Sequence, residues 1–506
     1  QVSSQVALAP LRFRSMASLP MLTAAKTELA QFYSYVDRHA EDYVSRLKDA
    51  VAIPSVSADP ARRPDCLRMI AFVRGWMDKL GIENELRPLG LQNGHKDLEL
   101  PPVVVGRYGK DPAKRTVGVY GHLDVQPAEL NDGWRTDPWT LETDSEGRMW
   151  GRGSTDDKGP VLGWLWTIEA HQALGLEMPV NMIFCLESME ESGSEGLEGL
   201  IEREADAYFR AVDCWCISDN YWLGTQKPCV QYGLRGICYL QVEVSGPAKD
   251  LHSGRGGPVH EPMAELIRLL DSLVDPTTGR ILVPGLEDLV PPVTAEERRS
   301  YEEVDFDVED FRRSNGVTRL RTDAKVDLLE AMWRRPSLSI HGIEGAFSGP
   351  GAKTVIPAKV RGKFSIRLVD GMEPMAVEAL LRRHLESVFA GFATPNHLTI
   401  VGGHSAAAFV QSVDDFNYSA ARRATELVYG QRPNLVRSGG SIPITLTFQQ
   451  TGKSVLLLPM GRGDDGQHGP NEKLDRSNYF QGIKLLGTYL HEVRGERTVP
   501  AVPSGE

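Results

Sequence analysis

The sequence lacks several features that would place it in a specialised class of protein. No run of about 18 apolar residues occurs in its 506 residues, so it contains no candidate transmembrane helix. Its 56 lysines and arginines are outnumbered by 68 acids, for a net charge of -12. This balance argues against nucleic-acid binding, because phosphate contacts rely on basic patches. A bound cation suits such a chain better.

Cysteine is also scarce, with six residues in the whole chain. They are too few and too irregularly spaced for a disulfide framework. We expect buried free thiols and a cytoplasmic protein, since thiols stay reduced in that compartment. Cys214 and Cys216 have no second cysteine pair that could complete a zinc knuckle.

The first residues of the given sequence lack the core of a signal peptide, although Arg12 and Arg14 with few acids leave a transit peptide as an alternative. The apolar stretch 6–11 is short and contains Pro10, which does not fit a signal peptide. Because residue 1 is glutamine, we expect a natural start at Met16. Residues 1–27 are therefore predicted to be an N-terminal extension, and residues 495–506 a loose C-terminal tail.

Length and hydrophobic pattern predict an α/β protein with more than one domain. A chain of this length exceeds what one hydrophobic core usually serves. Helical patterns separate several buried apolar runs, which predicts a mostly parallel sheet flanked by helices. The runs are 116–121, 180–186, 212–217 and 454–459.

A different pattern lies between the third and fourth runs. Alternating strands and two helical segments follow one another in a β-α-β-β-α-β order, which is typical of a ferredoxin-like α+β unit. We predict an inserted α+β domain at 233–403, with a charged, proline-rich excursion at 275–335. The catalytic domain would then comprise residues 28–232 and 404–494.

Acidic residues and histidines collect where the predicted strands end. Ligands in open α/β sheets bind outside the carboxyl ends of the strands, so these side chains are expected to meet. The candidates are His122, Asp156, Asp157, Glu190, Glu191, Asp219 and His468. For the adjacent Asp156 and Asp157, a solvated acidic loop is the alternative interpretation.

Two histidines with several carboxylates suit Zn²⁺, Mn²⁺ or Co²⁺ better than Ca²⁺. The set is too large for one tetrahedral ion, whereas two ions bridged by a carboxylate and a water would use it. Asp124, two residues after His122, is placed to orient that imidazole. Since neighbouring side chains diverge, one of Glu190 and Glu191 should stay free as a proton acceptor.

Five sequence blocks make the chain resemble the M20 family of metallopeptidases, and within it the group of cytosolic non-specific dipeptidases. The resemblance runs from about residue 32 to about residue 493. The blocks are GHLDVQPA at 121–128, GRGSTDDKGP at 151–160, MEESGSEG at 189–196, ISDNYW at 217–222 and GSIP at 440–443.

The resemblance implies a role for each candidate metal ligand. His122 and Asp219 would hold one metal ion, Glu191 and His468 the other, and Asp156 would bridge them. The two ions per subunit would be Zn²⁺ or Mn²⁺. The peptide between Asp156 and Asp157 would be cis.

The resemblance also implies the catalytic and substrate-binding residues. Glu190 would be the general base that takes a proton from the water between the metals. His252 would reach from an inserted lid domain into the partner's active site, accompanied by Thr354. The resemblance therefore implies a homodimer formed through the lid. The substrate's carboxylate would meet Arg367, His404 and Ser441.

Two departures from the family pattern bear on specificity. Ser438 stands where the group has an acid thought to meet the substrate's amino group. Residues 405–409, SAAAF, replace a segment that tends to read GGKPW.

The resemblance as a whole makes the first hypothesis a dipeptidase of broad range, with Cys-Gly among its substrates. The alternatives are an amidohydrolase of N-acyl or γ-linked substrates and a catalytically silent metal-binding scaffold.

Overall fold

The computed structural model of the protein describes residues 19–495. The expected extension and tail lie mostly outside the described residues, although the first helix already begins at Leu19. Within the described part, no helix combines the length and the apolar character that crossing a membrane requires.

Strands and helices alternate along most of the described chain, and both are numbered here in chain order. The strands are β1 Glu83–Arg87, β2 Val103–Tyr108, β3 Thr116–His122, β4 Glu142–Thr143, β5 Arg148–Trp150, β6 Asn181–Glu187, β7 Cys214–Ile217, β8 Cys229–Leu234, β9 Gly236–Ser245, β10 Leu251–His252, β11 Ser337–Glu344, β12 Val355–Ile356, β13 Lys359–Leu368, β14 His397–Ala406, β15 Phe409–Val410, β16 Asn434–Ser438, β17 Ser454–Leu457 and β18 Lys473–Asp475. The helices are α1 Leu19–Arg38, α2 Ala40–Val51, α3 Arg63–Lys79, α4 Lys158–Leu174, α5 Leu197–Glu204, α6 Pro262–Asp271, α7 Ala295–Glu303, α8 Val308–Ser314, α9 Lys325–Trp333, α10 Pro374–Ala390, α11 Phe416–Tyr429, α12 Ile444–Gln450 and α13 Arg476–Val493.

The larger sheet is mixed, with a parallel centre. Its order is β1-β2-β6-β3-β7-β17-β8-β15, and β16 pairs with β8. Strands β6, β3, β7 and β17 are mutually parallel, whereas β1, β2 and β15 pair antiparallel. The α/β class is confirmed. The four predicted apolar runs form the parallel centre, and the antiparallel edges add to the expected pattern.

Side chains of the central strands alternate between two apolar layers. Cys214 and Cys216 of β7 face the layer that contains α4 and α13, while Trp215 and Ile217 face α5 and α12. A sheet covered by helices on both faces needs apolar residues at successive positions. This explains why the runs read as continuously hydrophobic.

The second sheet has the order β11-β13-β9-β14 and is antiparallel throughout. Helices α6 and α10 cover one face with a separate core that includes Leu266, Phe364 and Leu381. The chain order β9-α6-β11-β13-α10-β14 matches the predicted ferredoxin-like unit. The inserted α+β architecture is therefore confirmed.

The excursion between α6 and β11 packs on the larger sheet. Tyr301 and Trp333 are buried against Trp222 and Val436, so the charged excursion carries its own apolar contact surface. The domain boundaries near residues 233 and 403 stay predictions. Strand β14 continues across the second of them to Ala406.

Candidate metal centre

The predicted ligands converge at the carboxyl ends of the parallel strands. His122 ends β3, Glu190 and Glu191 form a short turn after β6, and Asp219 follows β7. Asp156 lies just before α4, and His468 lies in the loop between β17 and β18. Parallel strands place all these loops at one edge of the sheet, as the sequence predicts.

The side chains form two triads that share Asp156. In the first, His122 Nε2 lies 3.1 Å from Asp156 Oδ1 and 3.5 Å from Asp219 Oδ2. In the second, His468 Nε2 lies 3.2 Å from Asp156 Oδ2 and 3.1 Å from Glu191 Oε2. Each oxygen of Asp156 thus faces a different histidine, which is the arrangement of a bridging carboxylate. These five residues are called the metal cluster below.

The donor set fits metal ions better than it fits the bare protein. His122 Nδ1 lies 3.1 Å from the carbonyl oxygen of Asp124, which can only accept, so Nδ1 carries the proton. The lone pair of Nε2 then faces the carboxylate oxygens of Asp156 and Asp219. Such a contact is unfavourable unless a cation lies between the atoms. Imidazole and carboxylate together suit borderline divalent metals.

The pKa values of His122 and His468 show that the metal cluster lacks positive charge. Burial lowers the pKa of His122, but the charge of Asp219 and the contacts with Asp124 and Asp156 outweigh it and raise the pKa well above its usual value. For His468, partial burial is outweighed by the bonds to Asp156 and Glu191, which raise its pKa to about 11. The carboxylates around both imidazoles therefore attract positive charge, which a proton supplies in the metal-free protein and a metal ion can supply in its place.

Asp124 organises two parts of the metal cluster. Its carboxylate oxygen is 3.5 Å from His122 Nδ1, farther than its own carbonyl oxygen. The carboxylate accepts the backbone N–H groups of Glu190 at 3.2 Å and Glu191 at 3.1 Å. Asp124 therefore orients the imidazole largely through its backbone and fixes the glutamate turn with its side chain.

Asp157 joins the turn before α4 to the end of β3. Its Oδ2 accepts the backbone N–H of His122 at 3.1 Å, and the peptide between Asp156 and Asp157 is cis, as the resemblance implies. A Cβ at Gly121 would lie 2.7 Å from the same oxygen. Glycine is therefore required where this carboxylate approaches the strand.

Glu190 is the glutamate that lies outside both triads. Burial raises its pKa well above the usual value, the charge of His122 opposes the shift, and the charges of Glu191 and Asp219 add to it. A carboxylate with a raised pKa beside the metal cluster is suited to accept and return a proton.

A second group of predicted residues lies at the junction of the two sheets. Arg367 Nη1 donates to Ser441 Oγ at 2.8 Å, and Ser441 Oγ donates to the carbonyl oxygen of Arg235. His404 approaches the glutamate turn, because a Cβ at Gly193 would lie 3.8 Å from its Nδ1. The structure therefore brings Arg367 and Ser441 into contact and places His404 beside the glutamate turn.

Arg235 was missed by the sequence reasoning. Its Nε donates to the carbonyl oxygen of Gly439 at 3.1 Å, and burial together with the charge of Arg367 lowers its pKa to about 10. Among the described residues, neither Arg235 nor Arg367 forms an ion pair with an acid. Arg235, Arg367 and Ser441 are called the arginine cluster below.

His252 and Thr354 are brought together, but apart from the other predicted residues. Strand β10 pairs with β12, and His252 Nε2 lies 3.3 Å from Thr354 Oγ1. His252 Nδ1 accepts the N–H of Gly254, and its side chain is exposed. None of the contacts described for His252 within residues 19–495 involves the metal cluster.

Another acidic group resembles a metal site but already holds a cation. Asp464, Asp465 and Asp475 could supply ligands to one ion. Lys473 Nζ lies among them, 2.9 Å from Asp464, 2.7 Å from Asp465 and 2.5 Å from Asp475. The ammonium group satisfies these carboxylates, so this group is structural.

Comparison with known proteins identifies the family. The model of peptidase family M20/M25/M40 matches residues 118–492. The chain belongs to this family. It is 52% identical over 472 residues to the Cys-Gly metallodipeptidase dug1 of Schizosaccharomyces pombe, covering 92% of this chain and 99% of the relative. It is 45% identical over 487 residues to the Beta-Ala-His dipeptidase of Homo sapiens, covering 95% of each.

Solved structures agree with the sequence relatives. The chain resembles the dipeptidase Dug1p from Saccharomyces cerevisiae with a TM-score of 0.89 and 47% identity, covering 92% of this chain and 98% of that one. Human carnosine dipeptidase 1 gives a TM-score of 0.88 at 45% identity, covering 92% and 98%. This M20 chain is therefore a metallopeptidase with dipeptidases as relatives.

Proposed function

We propose that this M20 chain hydrolyses the peptide bond of short peptides with a free carboxyl terminus, above all dipeptides such as Cys-Gly. The observation that carries the proposal is the presence of two sites of opposite charge, with His404 lying against the glutamate turn. The metal cluster is suited to the reacting carbonyl, and the arginine cluster is suited to a carboxylate. In the proposed reaction one short substrate binds at both sites, which favours dipeptides over longer chains.

The residues of the metal cluster would hold two divalent ions, Zn²⁺ or Mn²⁺. His122 and Asp219 would bind one ion, Glu191 and His468 the other, with Asp156 shared. When bound, such ions act as Lewis acids toward a carbonyl and lower the pKa of water.

Glu190 moves the proton in the proposed reaction. Its carboxylate takes a proton from the attacking water as the oxygen bonds to the carbonyl carbon. It then gives that proton to the leaving nitrogen as the C–N bond breaks. One water is consumed, and the products are two amino acids. Arg367 and Ser441 hold the carboxylate of the substrate throughout, which fixes the scissile bond against the metal cluster.

The Glu190→Gln variant tests this role. Glutamine keeps the size of the side chain but cannot accept the proton, so turnover of Cys-Gly should fall by about 10²–10⁴-fold. Metal content should stay at two ions per chain. Near-normal turnover of the Glu190→Gln variant with both ions bound would contradict the mechanism.

We also propose a homodimer formed through the four-stranded sheet. Strand β11 is an edge strand that presents exposed Ile340 and Ile343, and Ile267 of the neighbouring α6 is exposed as well. An unpaired edge with apolar side chains is suited to pairing with a second copy. In this arrangement His252 would complete the partner's site.

Mixed dimers test the proposed sharing of residues between subunits. His252→Ala and Arg367→Ala subunits should each be nearly inactive alone. When mixed, they should recover about a quarter of wild-type activity, because about half the dimers are mixed and each then has one intact site. Absence of recovery in dimers confirmed by mass would exclude the exchange of His252.

Ser438 motivates a second candidate function, the hydrolysis of N-acyl or γ-linked substrates. Its Oγ accepts the N–H of Gly440 at 3.1 Å within its own loop, so this position offers no carboxylate to a substrate ammonium group. Rates on Cys-Gly and on N-acetyl-Cys-Gly separate the candidates. Faster cleavage of the free dipeptide supports the dipeptidase.

The proposed compartment is the cytoplasm. All six cysteines are buried and free, which is the usual state of thiols in a reducing environment. Fractionation of cells that express the full-length chain would test this, and recovery from an oxidising compartment would contradict it.

A further inference from the structure

Arg152 and Glu472 form a buried ion pair that the proposed reaction does not use. Arg152 Nη1 donates to Glu472 Oε2 at 2.7 Å, and the two side chains are 2% and 0% exposed. Burying a charged pair is costly unless other hydrogen bonds satisfy both partners. The remaining bonds of each side chain lead to different parts of the metal cluster.

Glu472 binds the backbone at Asp156, the bridging residue. Its Oε1 accepts the backbone N–H of Thr155 at 3.1 Å and of Asp156 at 3.3 Å. A second bond supports the same segment, because Thr155 Oγ1 donates to Asp465 Oδ2 at 2.8 Å. The backbone that carries Asp156 is therefore held by side chains from the loop 462–475.

Arg152 reaches the loop of His468. Its Nη2 donates to the carbonyl oxygens of His468 at 3.3 Å and Gly469 at 3.1 Å, and to that of Pro127 at 3.4 Å. His468 has a φ of 62°, in the left-handed region that non-glycine residues seldom adopt. Bonds from a buried guanidinium to this loop stabilise the unusual backbone that aims the imidazole.

The pair thus connects two ligands that are more than 300 residues apart in sequence. Asp156 and His468 must keep a fixed spacing for the second triad to form, and Asp156 must also face His122. Groups outside the coordination shell that orient the ligands commonly affect metal affinity.

We propose that Arg152 and Glu472 are positioning residues that set the spacing of Asp156 and His468, so that both metal sites form together. The inference rests on the metal centre of the proposed function. Glu472 acts through the backbone of the bridging residue, and therefore on both sites. Arg152 acts through the His468 loop, and therefore mainly on the site of Glu191 and His468.

Metal titration of the full-length chain, stripped with a chelator, tests the inference without an activity assay. Wild type should bind two Mn²⁺ ions per chain in a calorimeter. Glu472→Gln keeps an acceptor for the two N–H groups but loses the charge that faces Arg152. It should raise the dissociation constants of both sites by about 10–100-fold.

Arg152→Lys should raise the dissociation constant of one site more than that of the other. Lysine keeps the charge but cannot reach Glu472 and the His468 loop at once. The same titration after Glu191→Gln, alone and combined with Arg152→Lys, identifies the affected site. If that site is the one of Glu191 and His468, the effect of Arg152→Lys should largely disappear in the double variant.

Arg46→Met provides the matched control, since it removes a half-buried ion pair with Glu169 away from the metal cluster. Its metal affinities should equal those of wild type. Wild-type affinities in both Arg152 and Glu472 variants, with only a lower melting temperature, would overturn the inference. So would failure of both variants to fold when the control folds, because the pair would then be structural. Wild type that binds fewer than two ions would instead refute the proposed function.

Discussion

The metal cluster and the arginine cluster have opposite electrostatic character. The metal cluster gathers Asp156, Glu191 and Asp219 around two imidazoles whose pKa values are raised. The arginine cluster holds Arg235 and Arg367, whose pKa values are lowered. One cluster lacks positive charge, and the other lacks negative charge.

The acidic group around Lys473 differs from the two clusters. Lys473 lies within hydrogen-bond distance of three aspartates, and Arg462 lies 3.5 Å from two of them, so cations of the protein itself pair with these carboxylates. In the two clusters we propose that a bound species supplies the opposite charge. The comparison therefore separates carboxylates that stabilise the fold from those prepared for ligands.

Removal of the shared carboxylate should have the largest effect. Asp156→Ala takes one ligand from each triad, so metal analysis should find less than about one ion per chain. Activity on Cys-Gly should fall by more than about 10³-fold, because the charge stabilisation by metal ions is worth several kcal/mol. Asp464→Ala, from the group that Lys473 neutralises, is the control. If it loses metal to the same extent, the two acidic groups do not differ as described.

Arg367→Met should have the next largest effect. Truncation of one partner in a buried charge pair costs about 2–5 kcal/mol, so kcat/KM for a dipeptide should fall by about 30-fold or more. The same dipeptide with an amidated carboxyl terminus serves as the control, and wild type and variant should cleave it equally slowly. An equal loss on both substrates would mean that Arg367 does not read the carboxylate.

Arg235→Met should have a smaller effect, mainly on KM. Arg235 touches Ser441 through its carbonyl oxygen and adds positive charge near Arg367. Loss of that charge should raise KM by about tenfold, which corresponds to about 1.4 kcal/mol. Arg235→Lys restores the charge and should restore much of the affinity. If lysine and methionine behave alike, the side chain acts through packing instead.

The buried histidines His171 and His491 lie away from both clusters. They show how burial changes the pKa of a histidine that has no acidic side chain in contact within the described part of the chain. His171 Nε2 and His491 Nε2 lie 3.1 Å apart, and burial and the charge of His171 lower the pKa of His491 to about 3. In the unfolded chain His491 binds a proton near pH 6.5, whereas in the native pair it stays neutral at that pH. Native stability should therefore be complete above about pH 6.5 and decline toward pH 3.

The His491→Phe variant should remove part of this dependence. Between about pH 7 and pH 5, it should lose about 1–2 kcal/mol less stability than wild type. Urea unfolding of the metal-free chain at both pH values measures the difference, and equal losses would exclude the histidine pair as a source of acid sensitivity.

Much of the fold could be predicted because each signal was local. The run 116–121 reads as a buried strand from its apolar residues alone, and β3 covers it with His122 at its end. The order of elements around 236–406 likewise predicts the ferredoxin-like sheet. The excursion that contains Tyr301 could not be placed, since its contacts with Trp222 and Val436 are distant in sequence.

The candidate site likewise has one part that could be predicted from the sequence and one part that could not. Parallel topology brings Asp156 and His468 to one edge, so residue type and strand position predicted the candidate set, and the family resemblance predicted the five residues of the metal cluster among them. Arg235 and Glu472 carry no such signal. Their partners come from other loops and from backbone atoms, and neither the motif spacing nor the periodicity records these contacts.

The sequence by itself determined the family and the architecture of two sheets, and it predicted the residues proposed to bind metal ions and a carboxylate. Only the tertiary structure decided which oxygen of Asp156 faces which histidine, and that neither Arg367 nor Arg235 forms an ion pair with an acid among residues 19–495. The physical reason is the distance along the chain over which each property is determined. Hydrophobic period and ligand type are properties of short segments, whereas charge balance depends on every group that folding brings within a few ångströms.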